Sequence, residues 1–227
     1  MKKKLIKTLF ECDDITDLCL KNYNIRECDS SYVSPLLYIL QHSDGIKMSQ
    51  EQFDYIVMNS DIGYKYGDHT TALMHCFMHE NKQLPLSQKS FDHIFNSSNL
   101  MDMNKYEETI LYFFLNFGDY LSQYIKSHHI DKIVHHSISE EIQQTNTNYF
   151  LKNMDFINQY AGIEKVWPYI DDKKWFVNFV KANSKPQSYK DDYLHIVKNP
   201  VFIAFEEKSH LGQHININKN NVSLNKI

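Results

Sequence analysis

The sequence predicts an all-α chain built as a stack of helix pairs, and three observations carry that expectation. The phrase SQEQFDYIVMNSDI, Ser49 to Ile62, returns 38 residues later as SQKSFDHIFNSSNL, Ser87 to Leu100. Self-similarity at a period of roughly 20 to 50 residues marks arrays whose units supply each other's core. Only 6 Gly and 5 Pro punctuate 227 residues, too few turn formers for a β-sandwich or barrel. Inside the phrase, Phe53, Ile56 and Val57, and again Phe91, Ile94 and Phe95, sit at i, i+3, i+4, which is one helical stripe.

Residues 1–27 read as an N-terminal capping helix. The opening MKKKLIKTLF is basic then apolar, but Glu11, Asp13 and Asp14 interrupt it before the apolar run or small-residue cleavage site of a signal peptide. Cys12 and Cys19, seven apart, fit one apolar helix face. Residues 28–155 form the array. Each unit opens with a short apolar helix: SPLLYILQ, TALMHCFMHE, ETILYFFLNF, with Ser34, Thr71 and Thr109 at equivalent starts, 37 and 38 residues apart. Asn104 with Glu107 has the form of a capping box at a helix start. A polar link such as ENKQLP follows, in which Pro85 cannot extend a helix. The second helix begins at Ser49 or Ser87, and Ser49 with Gln52 is again box-like. Each unit leaves through a polar excursion, NSDIGYKYGD or NSSNLMDMNKY.

A third echo lies in HIDKIVHHSI, where Ile130, Asp131 and Ile133 fall on the Phe91, Asp92 and Ile94 positions, and Thr147 to Leu151 opens a fourth unit. After about residue 155 the pattern breaks. Residues 156–210, with Trp167, Trp175, Phe176, Phe179, Tyr193, Phe202 and Phe205, read as an aromatic helical cap closing the end of the stack. Residues 211–227, rich in Asn and Lys, read as a polar tail.

Thr71-Ala72-Leu73-Met74 after Gly67-Asp68, and Thr109-Ile110-Leu111 after Asn104, resemble the ankyrin repeat, in which Thr-x-Leu opens the first helix and an extended excursion joins units. The diverged ankyrin-like arrays of host-associated bacteria look closest. The departures are the missing helix-ending glycines, a longer middle link and a period above the family's 33. The resemblance implies an ankyrin-like helix-pair solenoid of about three to four repeats, and a cytoplasmic binding protein of the kind that includes effectors delivered into host cells.

Composition narrows the partners. A net charge of −4 and a single arginine, Arg26, leave no basic stripe and little bidentate phosphate or base recognition, so nucleic acid is not expected. No stretch approaches the roughly 18 apolar residues of a membrane span. Four cysteines without a CxxC pair read as reduced thiols. No phosphate loop or nucleophile-elbow motif occurs, and no cofactor is expected.

Histidine supplies the metal candidates. His75 and His79 lie one helical turn apart, but Cys76 stands where a metalloprotease places its Glu; both read as lining the exposed side of an inner helix. His128 and His135, with Asp131, share one face of a run in which His129 and His136 read as solvated and Ile130, Ile133 and Val134 as buried. Cys76 aligns with Ile39 and Phe114 and reads as a small buried hydrophobe. Asp54, Asp92 and Asp131 recur as early-helix acids facing the helix dipole.

The excursions carry the candidate contact surface: Tyr32, Tyr64, Lys65, Tyr66, His69, Met103, Lys105 and Tyr106, aromatic and Met residues suited to protein contacts. The expected function is a non-enzymatic protein–protein interaction module that binds an unidentified protein partner through its repeat loops and concave face. The alternatives are an immunity-type inhibitor of a basic toxin or enzyme, and an enzyme or metal-binding protein using the His-rich surface.

Overall fold

The computed structural model describes residues 2–29, 33–42, 45–65, 67–78, 84–183 and 193–209, and these are predominantly α-helical. They fall into two compact units, 1–133 and 134–227, that divide within one helix.

In the first unit, α1 (Leu5–Glu11) is followed by α2 (Pro35–Gln41), α3 (Gln50–Asn59), α4 (Ala72–Met78), α5 (Gln88–Ser97), α6 (Ile110–Phe117) and the start of α7 (Ser127–Ile138). The short apolar helices pack on one another, α2 on α4 and α4 on α6, while α3 packs on α5. Phe53, Ile56, Val57, Phe91, Ile94 and Phe95 are all buried. Each such side chain withdrawn from water contributes roughly 1.5–3 kcal/mol, so the doubled phrase is core-forming scaffold.

The helix boundaries repeat with the sequence. Ser34, Thr71 and Thr109 accept the backbone N–H three residues on, from Leu37, Met74 and Tyr112, at 3.2–3.3 Å. Ser49 and Ser87 do the same for Gln52 and Ser90. Gln52 completes the box by accepting the Ser49 N–H at 3.0 Å. At the far end no glycine is needed. The hydroxyls of Ser60 and Ser98 donate to the Ile56 and Ile94 carbonyls at 2.7 Å, filling acceptors that a helix C-terminus leaves open.

Four local expectations are corrected. The N-terminal segment is not one helix: it is α-helical over the seven residues of α1, forms a short 3-10 turn at Leu20–Asn22, and is otherwise extended or irregular, with Lys3–Lys4 (β1) pairing in parallel with Tyr23–Asn24 (β2). Cys12 ends that helix and, like Cys19, is exposed, so the two share no apolar face. Asn104 caps no helix; it closes a loop, and Thr109 caps α6 instead. Thr147 likewise yields the capping position of its helix to Asn146, whose Oδ1 accepts the Tyr149 N–H.

The second unit holds the end of α7, α8 (Glu140–Thr145), α9 (Thr147–Gln159), α10 (Ile163–Val166), α11 (Lys173–Asn183), α12 (Leu194–Val197) and a helical stretch over 200–209. Its aromatic rings interlock. Phe150 meets Phe179 edge-on at 4.9 Å, and Trp167 meets Phe176, Phe202 and Phe205 at 5.4–6.3 Å. Asn153, fully buried, donates to the carbonyls of Ser137 and Tyr149, so α9 carries its polar amide into the core with both protons satisfied. The 211–227 tail lies outside the described residues.

Candidate functional site

The excursions after α3 and α5 are built from the same parts. Asp61 and Asn99 turn the chain by accepting the N–H two residues on, from Gly63 and Met101, at 3.2 and 3.1 Å. The following Ile62 and Leu100 are buried and anchor each turn. Asn24 makes the same turn with Arg26, ahead of buried Ile25. Short side chains that bond to their own backbone in this way set a turn without help from tertiary contacts.

The second half of the excursion is closed by one residue. The Asn104 Oδ1 accepts the N–H groups of Tyr106 and Glu108, and its amide donates to Glu108 Oε2 at 2.7 Å. The Asn104 N–H in turn donates to the Glu108 carbonyl at 3.1 Å. Asp29 and Val33 repeat this pair: the Val33 N–H donates to Asp29 Oδ1 and the Asp29 N–H to the Val33 carbonyl. Each loop reverses through a left-handed residue, His69 (φ 64°) and Glu107 (φ 61°), 38 residues apart. Neighbouring loops are tied as well. The Lys105 N–H donates to the Asp68 carbonyl at 2.7 Å, and Lys65 Nζ pairs with Asp102 at 2.7 Å.

Onto this tied pair of loops the chain places Met103, 40% exposed, and Tyr106, 62% exposed. Lys105 lies 5.0 Å from the centre of the Tyr106 ring, and His69, in the preceding excursion, is exposed. Of the expected contact residues, then, His69, Met103, Lys105 and Tyr106 are at the surface, Lys65 is held by Asp102, and Tyr64 is half-buried. Tyr32 and Tyr66 lie outside the described residues.

Tyr64 lines a groove of about 570 Å³ whose walls include Arg26, His93 and Ser97. Arg26 is held there by its Nε, which donates to the Asn59 carbonyl at 3.0 Å. In the sequence Arg26 stands out only as the single arginine; its place at the end of the recurring turn, aligned with Gly63, was the available signal.

The histidines separate sharply. His75 is buried, 3.5 Å from the Gln41 amide, which corrects the expectation of an exposed side chain on α4. His79 lies outside the described residues. His128 and His135 are exposed, and His135 Nδ1 sits 2.9 Å from Asp171. His129, expected in solvent, is wholly buried, with its ring 4.5 Å from that of Phe95 and 5.2 Å from that of Phe91. Ile130, expected in the core, is only half-buried, because the buried face of α7 passes through His129 and Ile133. Among the described residues no three His, Cys, Asp or Glu side chains gather as a metal-ligand set. Cys76 is buried, as Ile39 and Phe114 are.

The recurring acids lie beyond the first turn of their helices, which corrects the expectation that they face the helix dipole. Asp54 accepts the Ser87 hydroxyl at 2.7 Å and also bonds that of Ser90, both at the start of the next second helix. Asp92 accepts Gln88 at 2.7 Å and faces His129 at 3.2 Å, while Asp131 is exposed.

No family model matches the chain, and neither a curated protein nor a solved structure does. Among the described residues no helix is long and apolar enough to cross a membrane.

Proposed function

We propose that the protein is a non-enzymatic interaction module, an ankyrin-like array of helix pairs that grips a protein partner with the excursions after α3 and α5. The observation that carries this reading is the exposure of Met103 and Tyr106 on loops already locked by Asn104 and by the Lys105–Asp68 and Lys65–Asp102 ties. Large apolar side chains held out in water on an ordered loop spare the cost of ordering the backbone on binding, which favours their use as contact anchors. The array itself is supported by equivalent caps at Ser34, Thr71 and Thr109, equivalent turns at Asn24, Asp61 and Asn99, and equivalent loop closures at Asp29 and Asn104.

The same reading makes the protein a cytoplasmic binder of the effector kind. An inhibitor that occludes a basic toxin or enzyme is its second form, favoured by the net charge of −4. The test is affinity capture with mass spectrometry, comparing the wild type with Met103→Ala/Tyr106→Ala. The double variant is expected to keep its far-UV CD and melting profile while losing the specific partner. A folded double variant that retains every specific partner sinks the reading.

A further inference from the structure

The second unit contains a cavity of about 200 Å³ that the excursion surface does not involve. Its walls are apolar: Val134 and Ile138 from α7, Ile170 before α11, and the rings of Tyr169 and Trp175. Glu140, Glu141, Asp171 and Asp172 make its rim acidic, His135 and Ser139 also line it, and neither lysine nor arginine does. The rim follows from how two helices begin. Ser139 caps α8 by accepting the Ile142 N–H, which places Glu140 and Glu141 in the first turn. Asp172 accepts the Trp175 N–H at 2.8 Å at the start of α11, with Asp171 before it facing His135 at 2.9 Å. Lys173, next in the chain, does not line the cavity, and its Nζ donates to the Ile170 carbonyl at 2.8 Å.

We propose that this cavity seats a basic side chain, lysine or arginine, presented by a protein partner. The aliphatic stem of such a side chain covers the apolar wall while its charged end stays at the rim among the carboxylates. The Trp175 ring adds the attraction of an aromatic face for a cation. A metal ion fits the site less well, because among the described residues no three ligating groups converge. The inference shares with the interaction-module reading only that the partner is a protein; the residues are different, so each can fail alone.

The test uses ¹⁵N-labelled full-length protein, whose two tryptophans, Trp167 and Trp175, provide separate indole signals. Blocked Gly-Arg-Gly, Gly-Lys-Gly and Gly-norleucine-Gly peptides are titrated in turn. The arginine or lysine peptide is expected to shift the Trp175 signal saturably and to leave Trp167 in place. Affinity is expected to fall at least tenfold in Glu140→Gln/Glu141→Gln with the CD spectrum unchanged. The proposal is overturned if the norleucine peptide binds as tightly, if the double variant binds like the wild type, or if no peptide binds. Saturation by zinc or magnesium chloride that blocks the peptides also overturns it, in favour of a metal site.

Discussion

His129 Nδ1 accepts the backbone N–H of Lys126 at 3.0 Å, which closes the start of α7 as Gln52 closes the start of α3. The bond requires that nitrogen to be unprotonated. Nε2 therefore carries the proton and lies 3.2 Å from Asp92, close but poorly aligned for a hydrogen bond. Burial disfavours the imidazolium and holds the pKa below the ordinary histidine value; His128 and Lys132 push the same way, and Asp92 only partly opposes them.

Stability is expected to depend on this ring. The unfolded chain takes up the proton near the ordinary pKa of about 6.5, before the folded one does. Its stabilisation is therefore complete above that value and is lost as pH falls through and below it. His129→Gln keeps a capping acceptor and removes the titration. Urea midpoints between pH 7.5 and 5 are expected to fall more steeply in the wild type than in His129→Gln. Equal slopes would assign the acid sensitivity elsewhere.

Asp54→Ala removes the acceptor shared by Ser87 and Ser90, and Ser90 is fully buried. Leaving that hydroxyl without its partner is expected to cost about 1–3 kcal/mol. Urea denaturation of Asp54→Ala, Ser90→Ala and the double variant should yield a coupling of about 0.5–3 kcal/mol, since the two groups touch. Strict additivity would remove the link from the account.

Phe91→Ala is expected to destabilise the chain by about 3–5 kcal/mol, read as a lower urea midpoint at an unchanged slope. The ring is fully buried and touches both Phe95 and His129. A loss under 1 kcal/mol would mean that the seam between α5 and α7 collapses around the gap.

Asn104→Ala is expected to loosen the loop more than the fold. The cost should be on the order of 1 kcal/mol per net hydrogen bond lost. Hydrogen exchange at the Tyr106 and Glu108 amides, both held by Asn104 Oδ1, should speed up selectively. Unchanged exchange at those two amides would show that the loop is held by other means.

Tyr106→Ala, by contrast, should change stability by less than about 0.5 kcal/mol, because the ring is 62% exposed. Thermal melting checks this. A large loss would make the ring part of the fold and remove it from the proposed contact surface.

Much of this protein was legible in its sequence by itself. The doubled phrase foretold α3 and α5, their buried Phe and Ile faces and the serines that cap them, because helix periodicity and capping are local properties. The scarcity of glycine and proline foretold the predominance of helix among the described residues. Decisions that turn on one residue or on distant partners were settled only by tertiary structure. His128 and His129 look alike in a histidine run, yet the buried face of α7 passes through one of them. Asn104 and Glu107 read as a cap, but the chain spends that amide on a loop because Thr109 supplies the cap. Glu140 and Glu141 lie thirty or more residues from Asp171 and Asp172, in two pairs of ordinary helix-start acids. Only packing around Ile138, Ile170 and Trp175 brings them to one opening, since a pocket depends on which faces meet and no local pattern records that.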